Sequence, residues 1–193
     1  GQQMDWVTGG VVAVAPLVAA AVSFVRAESS REWGRVQHVL ARTETPAENG
    51  DVSVFLAGSI EMGKAVDWQA EMLELLQRSW AARNRLVVYN PRSDEWDNSW
   101  TDGSPKLTGQ IQWEMEKLEQ SKVVVLYLAA KTMSPISLLE LGMHARSGKV
   151  IVCCELGYLR RQNVIEVCQR YGIPMVPNIR ALAAAAVNKL SEQ

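Results

Sequence analysis

From residue 52 onward the chain alternates short, nearly unbroken apolar runs with longer stretches in which apolar residues return every three or four positions. The runs at 52–57, 85–89, 122–128, 150–154 and 174–176 read as strands buried on both faces, because polar residues are few and β-branched ones dominate. Between them, 64–83 places Ala65, Trp68, Met72, Leu76 and Trp80 on one helical stripe. Residues 107–120 do the same with Ile111, Met115 and Leu118 on one side, and helices are predicted over 135–147, 161–171 and 179–190. Gly148 and Gly172 stand where helix C-caps call for left-handed backbone. Pro91 ends the second strand, since proline cannot donate to a ladder. Strands separated by helices imply right-handed crossovers and a parallel sheet covered on both faces. The expected fold is α/β, a flavodoxin-like (Rossmann-like) three-layer domain with a five-stranded parallel sheet. Its site should lie at the carboxyl ends of the first three strands, near the switch in strand order.

Before residue 51 the pattern changes. Gly1-Gln2-Gln3-Met4 reads as the remnant of an expression tag. Residues 9–25 are apolar and uncharged, slightly short of the roughly 20 residues a membrane span needs, and Pro16 interrupts them. No lysine or arginine precedes them, which argues against a secretory signal. A buried helix, or one packed on a second subunit, is the favoured reading, and membrane contact through 9–25 is the competing one. Residues 28–50 are polar and read as a helix followed by a linker. The expected division is therefore an N-terminal helical extension over 1–50 and an α/β domain over 51–193.

A net charge of −1 over 193 residues leaves no basic field for a nucleic-acid backbone, so a small-molecule partner is expected and nucleic acid is not. The three cysteines, two of them adjacent at Cys153 and Cys154 in an apolar run, make no disulfide framework and read as buried thiols of a reducing, cytoplasmic compartment. No Cys/His spacing points to a metal, and neither metal nor cofactor is expected.

Three loops follow the expected strand ends. The first, Gly58-Ser-Ile-Glu-Met-Gly63, offers Gly58 and Ser59 for close backbone approach to a ligand, but lacks the order of a dinucleotide or P-loop motif. Alone, it could equally be a turn. The second, Asn90-Pro-Arg-Ser-Asp-Glu-Trp-Asp-Asn-Ser-Trp100, could lay an aromatic face on a planar ring and read its edge with an acid, with Asn90, Arg92, Asp94 and Trp96 as candidates. The alternative is a surface loop whose tryptophans cover the core. The third, Ser134-Pro-Ile-Ser-Leu-Leu-Glu140, opens a helix with Glu140 alone among apolar residues. A carboxylate there either carries chemistry or pairs with His144 or Arg146. Glu114, on the preceding helix, could reach the same cleft or be a solvated surface acid. Two carboxylates over one cleft allow one to attack while the other moves a proton. Ser134 and Ser137 could bind a sugar hydroxyl or phosphate, or simply cap the helix.

Together, Phe55-Leu-Ala-Gly-Ser-Ile-Glu-Met-Gly63, Asn90-Pro-Arg-x-Asp-x-Trp96, Gln112-Trp-Glu114 and Ser134-Pro-Ile-Ser-Leu-Leu-Glu-Leu-Gly142 resemble the nucleoside 2-deoxyribosyltransferase-like family, over roughly 52–176. The resemblance implies cleavage or exchange of the N-glycosidic bond of a (2′-deoxy)nucleoside or nucleoside 5′-monophosphate. Glu140 matches the nucleophile that forms a glycosyl ester, and Glu114 matches a base-contacting acid. It further implies a homo-oligomer with shared sites. Where the family's transferases carry an aspartate toward the sugar 5′-hydroxyl, this chain has Ser134, as the related nucleotide N-glycosidases do. That departure, with Ser59 and Ser137, tilts the expected substrate toward monophosphates. The alternatives are a non-catalytic nucleotide-binding protein or a membrane-tethered sensor on the same fold.

Overall fold

The computed structural model describes residues 30–33, 36–46, 48–61, 65–82, 84–93 and 100–192. The apolar segment 9–25 and the residues before it lie outside them. Among the described residues no helix is long and apolar enough to cross a membrane.

Seven strands form one sheet: β1 (Ser30–Trp33), β2 (Val36–Leu40), β3 (Val52–Gly58), β4 (Leu86–Asn90), β5 (Val123–Leu128), β6 (Val150–Cys154) and β7 (Met175–Val176). Their spatial order is β1-β2-β4-β3-β5-β6-β7, and all pairs are parallel except β1 with β2. The five strands expected from the sequence are all present, and numbered among themselves they follow the flavodoxin order 2-1-3-4-5. The chain leaves β3 toward β4, then crosses back to β5 on the other side of β3. The switch in strand order thus falls between β3 and β5.

The strand count corrects the sequence expectation. Residues 30–40, read there as part of a helix, supply β1 and β2 and extend the sheet beyond β4, so six strands rather than five run parallel. Val36 and Val39 explain both the misreading and the outcome. A spacing of three suits one side of a helix, but on a strand it sends two residues to opposite faces. Val36 packs in the core on one face of the sheet and Val39 in the core on the other. His38 is half-buried on β2, with Nε2 3.2 Å from the Asn90 side-chain amide.

The helices are α1 (Trp68–Ser79), α2 (Pro105–Gln120), α3 (Pro135–His144), α4 (Arg161–Tyr171) and α5 (Ile179–Ser191). Each start follows local chemistry. Asp67 accepts from the Ala70 N–H ahead of α1, Ser104 from Leu107 with Pro105 just inside α2, and Asn178 from Ala181 at α5. Alternation along the central strands feeds two cores. Val54, Leu56, Val125 and Ile151 meet Trp68, Met72 and Leu76 of α1 and Leu182 and Ala186 of α5. Phe55, Ala57, Leu126 and Val152 meet Trp113 of α2, Leu141 of α3 and Val164 of α4. On α2 the expected apolar side is buried only at Leu118. Gln110, Trp113 and Leu118 face inward, while Ile111 and Met115 are 46% and 44% exposed. The bulk of Trp113, packed between Phe55 and Tyr89, sets the rotation.

Candidate active site

Ser59 follows β3 and lies fully buried at the switch between β3 and β5. Its hydroxyl is 2.7 Å from the Ser134 hydroxyl and 2.8 Å from that of Thr132, and it accepts from the Ala129 N–H at 3.0 Å. Gly58, just before it, is committed to packing. With φ at +146°, a Cβ there would sit 2.2 Å from the Tyr127 carbonyl oxygen and 2.9 Å from the Trp68 ring. The space that glycine frees is filled by the protein's own atoms. Trp68 stacks on Tyr127 at 5.1 Å and donates its indole N–H to the Ser59 carbonyl at 2.9 Å.

The β5–α3 loop, residues 129–134, is tied on every side. Glu155, just after β6, accepts from the Tyr127 hydroxyl and from the Ala130 N–H. The Tyr158 hydroxyl donates to the Met133 carbonyl at 2.8 Å. The Glu61 carboxylate accepts from both Met133 and Ser134 N–H groups. Ser134 occupies the position before α3 with left-handed backbone, φ 43°, and makes no side-chain cap. Its hydroxyl turns inward, to Ser59 and to Thr132 at 3.0 Å, in place of the capping role open to it.

α3 then carries Ser137, Glu140, Leu141 and His144 on its buried side. Glu140 is 9% exposed, and among the described residues no hydrogen bond or ion pair reaches its carboxylate. His144 does not pair with it: burial pushes that imidazole below its usual range, and its Nε2 has no partner. Arg146 lies over the Tyr171 ring instead, 5.0 Å from its centre. Burial, with a smaller contribution from the negative charge of Glu114, pushes the Glu140 carboxyl up to about 8. Burial also raises Glu114, against a hydrogen bond from Gln110 that favours its charged form. The Glu114 charge therefore reaches Glu140, and two like charges in buried surroundings favour keeping a proton on the pair.

Gln110, which the sequence did not single out, joins Glu114 to the second loop. Its amide N–H₂ donates to Glu114 at 2.6 Å and to the Pro91 carbonyl at 3.1 Å. Asn90, at the end of β4, is buried and accepts from the Arg92 N–H at 3.0 Å, fixing the turn out of the strand. The Arg92 guanidinium reaches the Gln69 side chain at 3.3 Å and the Ala65 carbonyl at 3.4 Å. Asp94 and Trp96 lie outside the described residues. Trp100 is flanked by Arg42 and Lys106, 5.1 and 6.0 Å from its ring centre. Glu61, Thr132 and Glu155 were also missed. The signal for Glu61 was the one carboxylate inside an otherwise uncharged loop; Thr132 and Glu155 carried none.

An α/β sheet with a topological switch, and two carboxylates whose proton affinity burial raises, has the features of a small-molecule site. The chain belongs to the nucleoside 2-deoxyribosyltransferase like family, whose model matches residues 51–158. It is similar in fold to the crystal structure of a conserved protein from Enterococcus faecalis V583, with a TM-score of 0.53 and 14% identity over 72% of this chain and 99% of that one. No curated protein matches it.

Proposed function

We propose that the protein cleaves or exchanges the N-glycosidic bond of (2′-deoxy)nucleosides or their 5′-monophosphates through a glycosyl ester on Glu140. The observation that carries this reading is the buried Glu140 on α3, its proton affinity raised by burial and by Glu114. In the reactive arrangement the pair holds one proton, on Glu114. A Glu140 oxygen attacks C1′ as the C1′–N bond breaks. The bonding electrons leave with the base, which takes the Glu114 proton. Positive charge developing at the sugar favours the ionised form of Glu140 at that moment. Water or a second base, either one giving a proton to Glu114, then attacks C1′ and frees the Glu140 carboxylate.

The buried Ser59–Thr132–Ser134 hydroxyls and the Asn90–Arg92 turn support this reading by holding the loops around the cleft rigid. A homo-oligomer is part of it. Ile136, Leu139 and Met143 form an exposed apolar stripe on α3, the helix that carries Glu140. The test is chromatographic detection of free base from ribo- and deoxyribonucleosides and their 5′-monophosphates, with and without an acceptor base. Base release that disappears in Glu140→Ala is the expected result. Unchanged release in that variant, or none from any substrate by the wild type, sinks the proposal.

A further inference from the structure

The end of α3 that would ordinarily receive an anion is already taken by the chain itself. All six backbone N–H groups of 129–134 have partners. Ala129 donates to the Ser59 hydroxyl, Ala130 to the Glu155 carboxylate, Lys131 to the Gly157 carbonyl and Thr132 to the Ala129 carbonyl. Met133 and Ser134 both donate to Glu61 Oε1, at 2.8 and 2.7 Å. Pro135 has no N–H to give. A phosphate arriving here would meet two carboxylates already on the donors it needs, and a buried serine cluster bonded to itself.

Backbone strain marks the same contact. Glu61 and Ser134 are both non-glycine residues in the left-handed region, at φ 48° and 43°. A chain that holds two such residues in place to bring one carboxylate onto two N–H groups is over-determined at that point, and such strain concentrates at functional positions. The distance fits a sugar. Glu140 lies six residues beyond Ser134, about 9 Å along the helix axis, room for a sugar ring with the carboxylate against C1′ at one end and a hydrogen bond to the 5′ oxygen at the other. The N–H groups of Ile136 and Ser137 in the first turn of α3 remain for a ligand. A neutral hydroxyl can use them beside Glu61, whereas a phosphate there would face like charge at close range.

We propose that Glu61 is a specificity-determining residue that restricts the substrate to nucleosides without a 5′-phosphate. The inference rests on the glycosidic reading above and reverses the tilt toward monophosphates that the serines gave the sequence.

The test separates binding from turnover. The full chain carrying Glu140→Gln is titrated by calorimetry with the four common 2′-deoxynucleosides and with their 5′-monophosphates, with Glu61 intact and as Glu61→Gln. The glutamine keeps an oxygen for the two N–H groups and removes the charge. With Glu61 intact, a nucleoside that binds should do so at least tenfold more tightly than its monophosphate, and Glu61→Gln should close that gap by a similar factor. Equal or tighter binding of the monophosphate with Glu61 intact overturns the inference, and so does a gap that survives Glu61→Gln, or binding of none of these ligands. Should Glu61→Gln fail to fold, the comparison with Glu61 intact still decides. Selective nucleoside binding without base release by the wild-type chain would remove the glycosidic reading and leave this one standing.

Discussion

Replacing Glu140 with glutamine should abolish turnover and make the protein more stable, with a pH dependence that identifies the cause. In the unfolded chain Glu140 loses its proton near the usual 4.5, whereas buried in the native state it keeps it until about 8. Between those values the native state binds more protons than the unfolded one, so the wild type loses stability as pH rises. The loss is about 1.4 kcal/mol per pH unit across the window, or about 3 kcal/mol by pH 7. Glutamine resembles the protonated acid and does not titrate. Its additional N–H, left short of a partner, takes back about 1 kcal/mol. A net gain of about 2 kcal/mol at pH 7 corresponds to about 4–8 °C in melting temperature for a domain of this size. Thermal melts of both proteins between pH 5 and 8, followed by circular dichroism, read it directly. The gap should be smallest at pH 5 and widen steadily toward pH 8. A constant gap, or a variant less stable than wild type at pH 8, would refute the claim that a buried, proton-holding carboxyl sits at 140.

Three further outcomes follow from the geometry. The pH profile of kcat/KM should be bell-shaped, because only the pair with a single proton reacts. Its alkaline limb should lie near 8 and belong to the pair, and Glu114→Gln should remove that limb while slowing base release by about 10²–10⁴. Gly58→Ala should cost about 2–4 kcal/mol in chemical denaturation, since its Cβ would collide with the Tyr127 carbonyl at an unfavourable φ; a loss below about 1 kcal/mol would mean the strand end yields easily. Cys153, Cys154 and Cys168 are buried with thiols pushed up to about 11, so a thiol reagent at pH 8 should label native protein hardly at all and the denatured chain fully.

The central strands were legible because burial on both faces leaves an almost unbroken apolar run, as in 123–128. β2 was not, because its apolar run is short and interrupted. Gln37 and His38 break its run, and Val36 and Val39 fit a helix as well as a strand until their opposite faces are seen. The pair of carboxylates was legible because Glu140 is an acid among apolar residues, and an unpaired buried acid is costly enough to stand out. The work of Glu61 was not legible. It depends on left-handed backbone at two non-glycine residues 73 positions apart, and no local pattern announces such a conformation. Ser134 shows the converse. A serine ahead of a helix reads as a cap or a phosphate ligand, yet the turn of its backbone points the hydroxyl into the protein.

The fastening of the β5–α3 loop also bears on when Glu140 reaches its final setting. Ser59 and Glu61 reach it from more than 70 residues upstream, and Glu155 and Tyr158 from about 25 downstream. Contacts so distant along the chain are the slow ones to close, because the entropy of the intervening loops is lost before any of them forms. α3 can acquire its final orientation only once β3, β5 and β6 lie side by side. A chain still emerging from the ribosome, with Glu155 not yet made, carries Glu140 on a helix whose preceding loop lacks its downstream fastenings. The final setting of Glu140 is thus among the last features the molecule acquires as it is built.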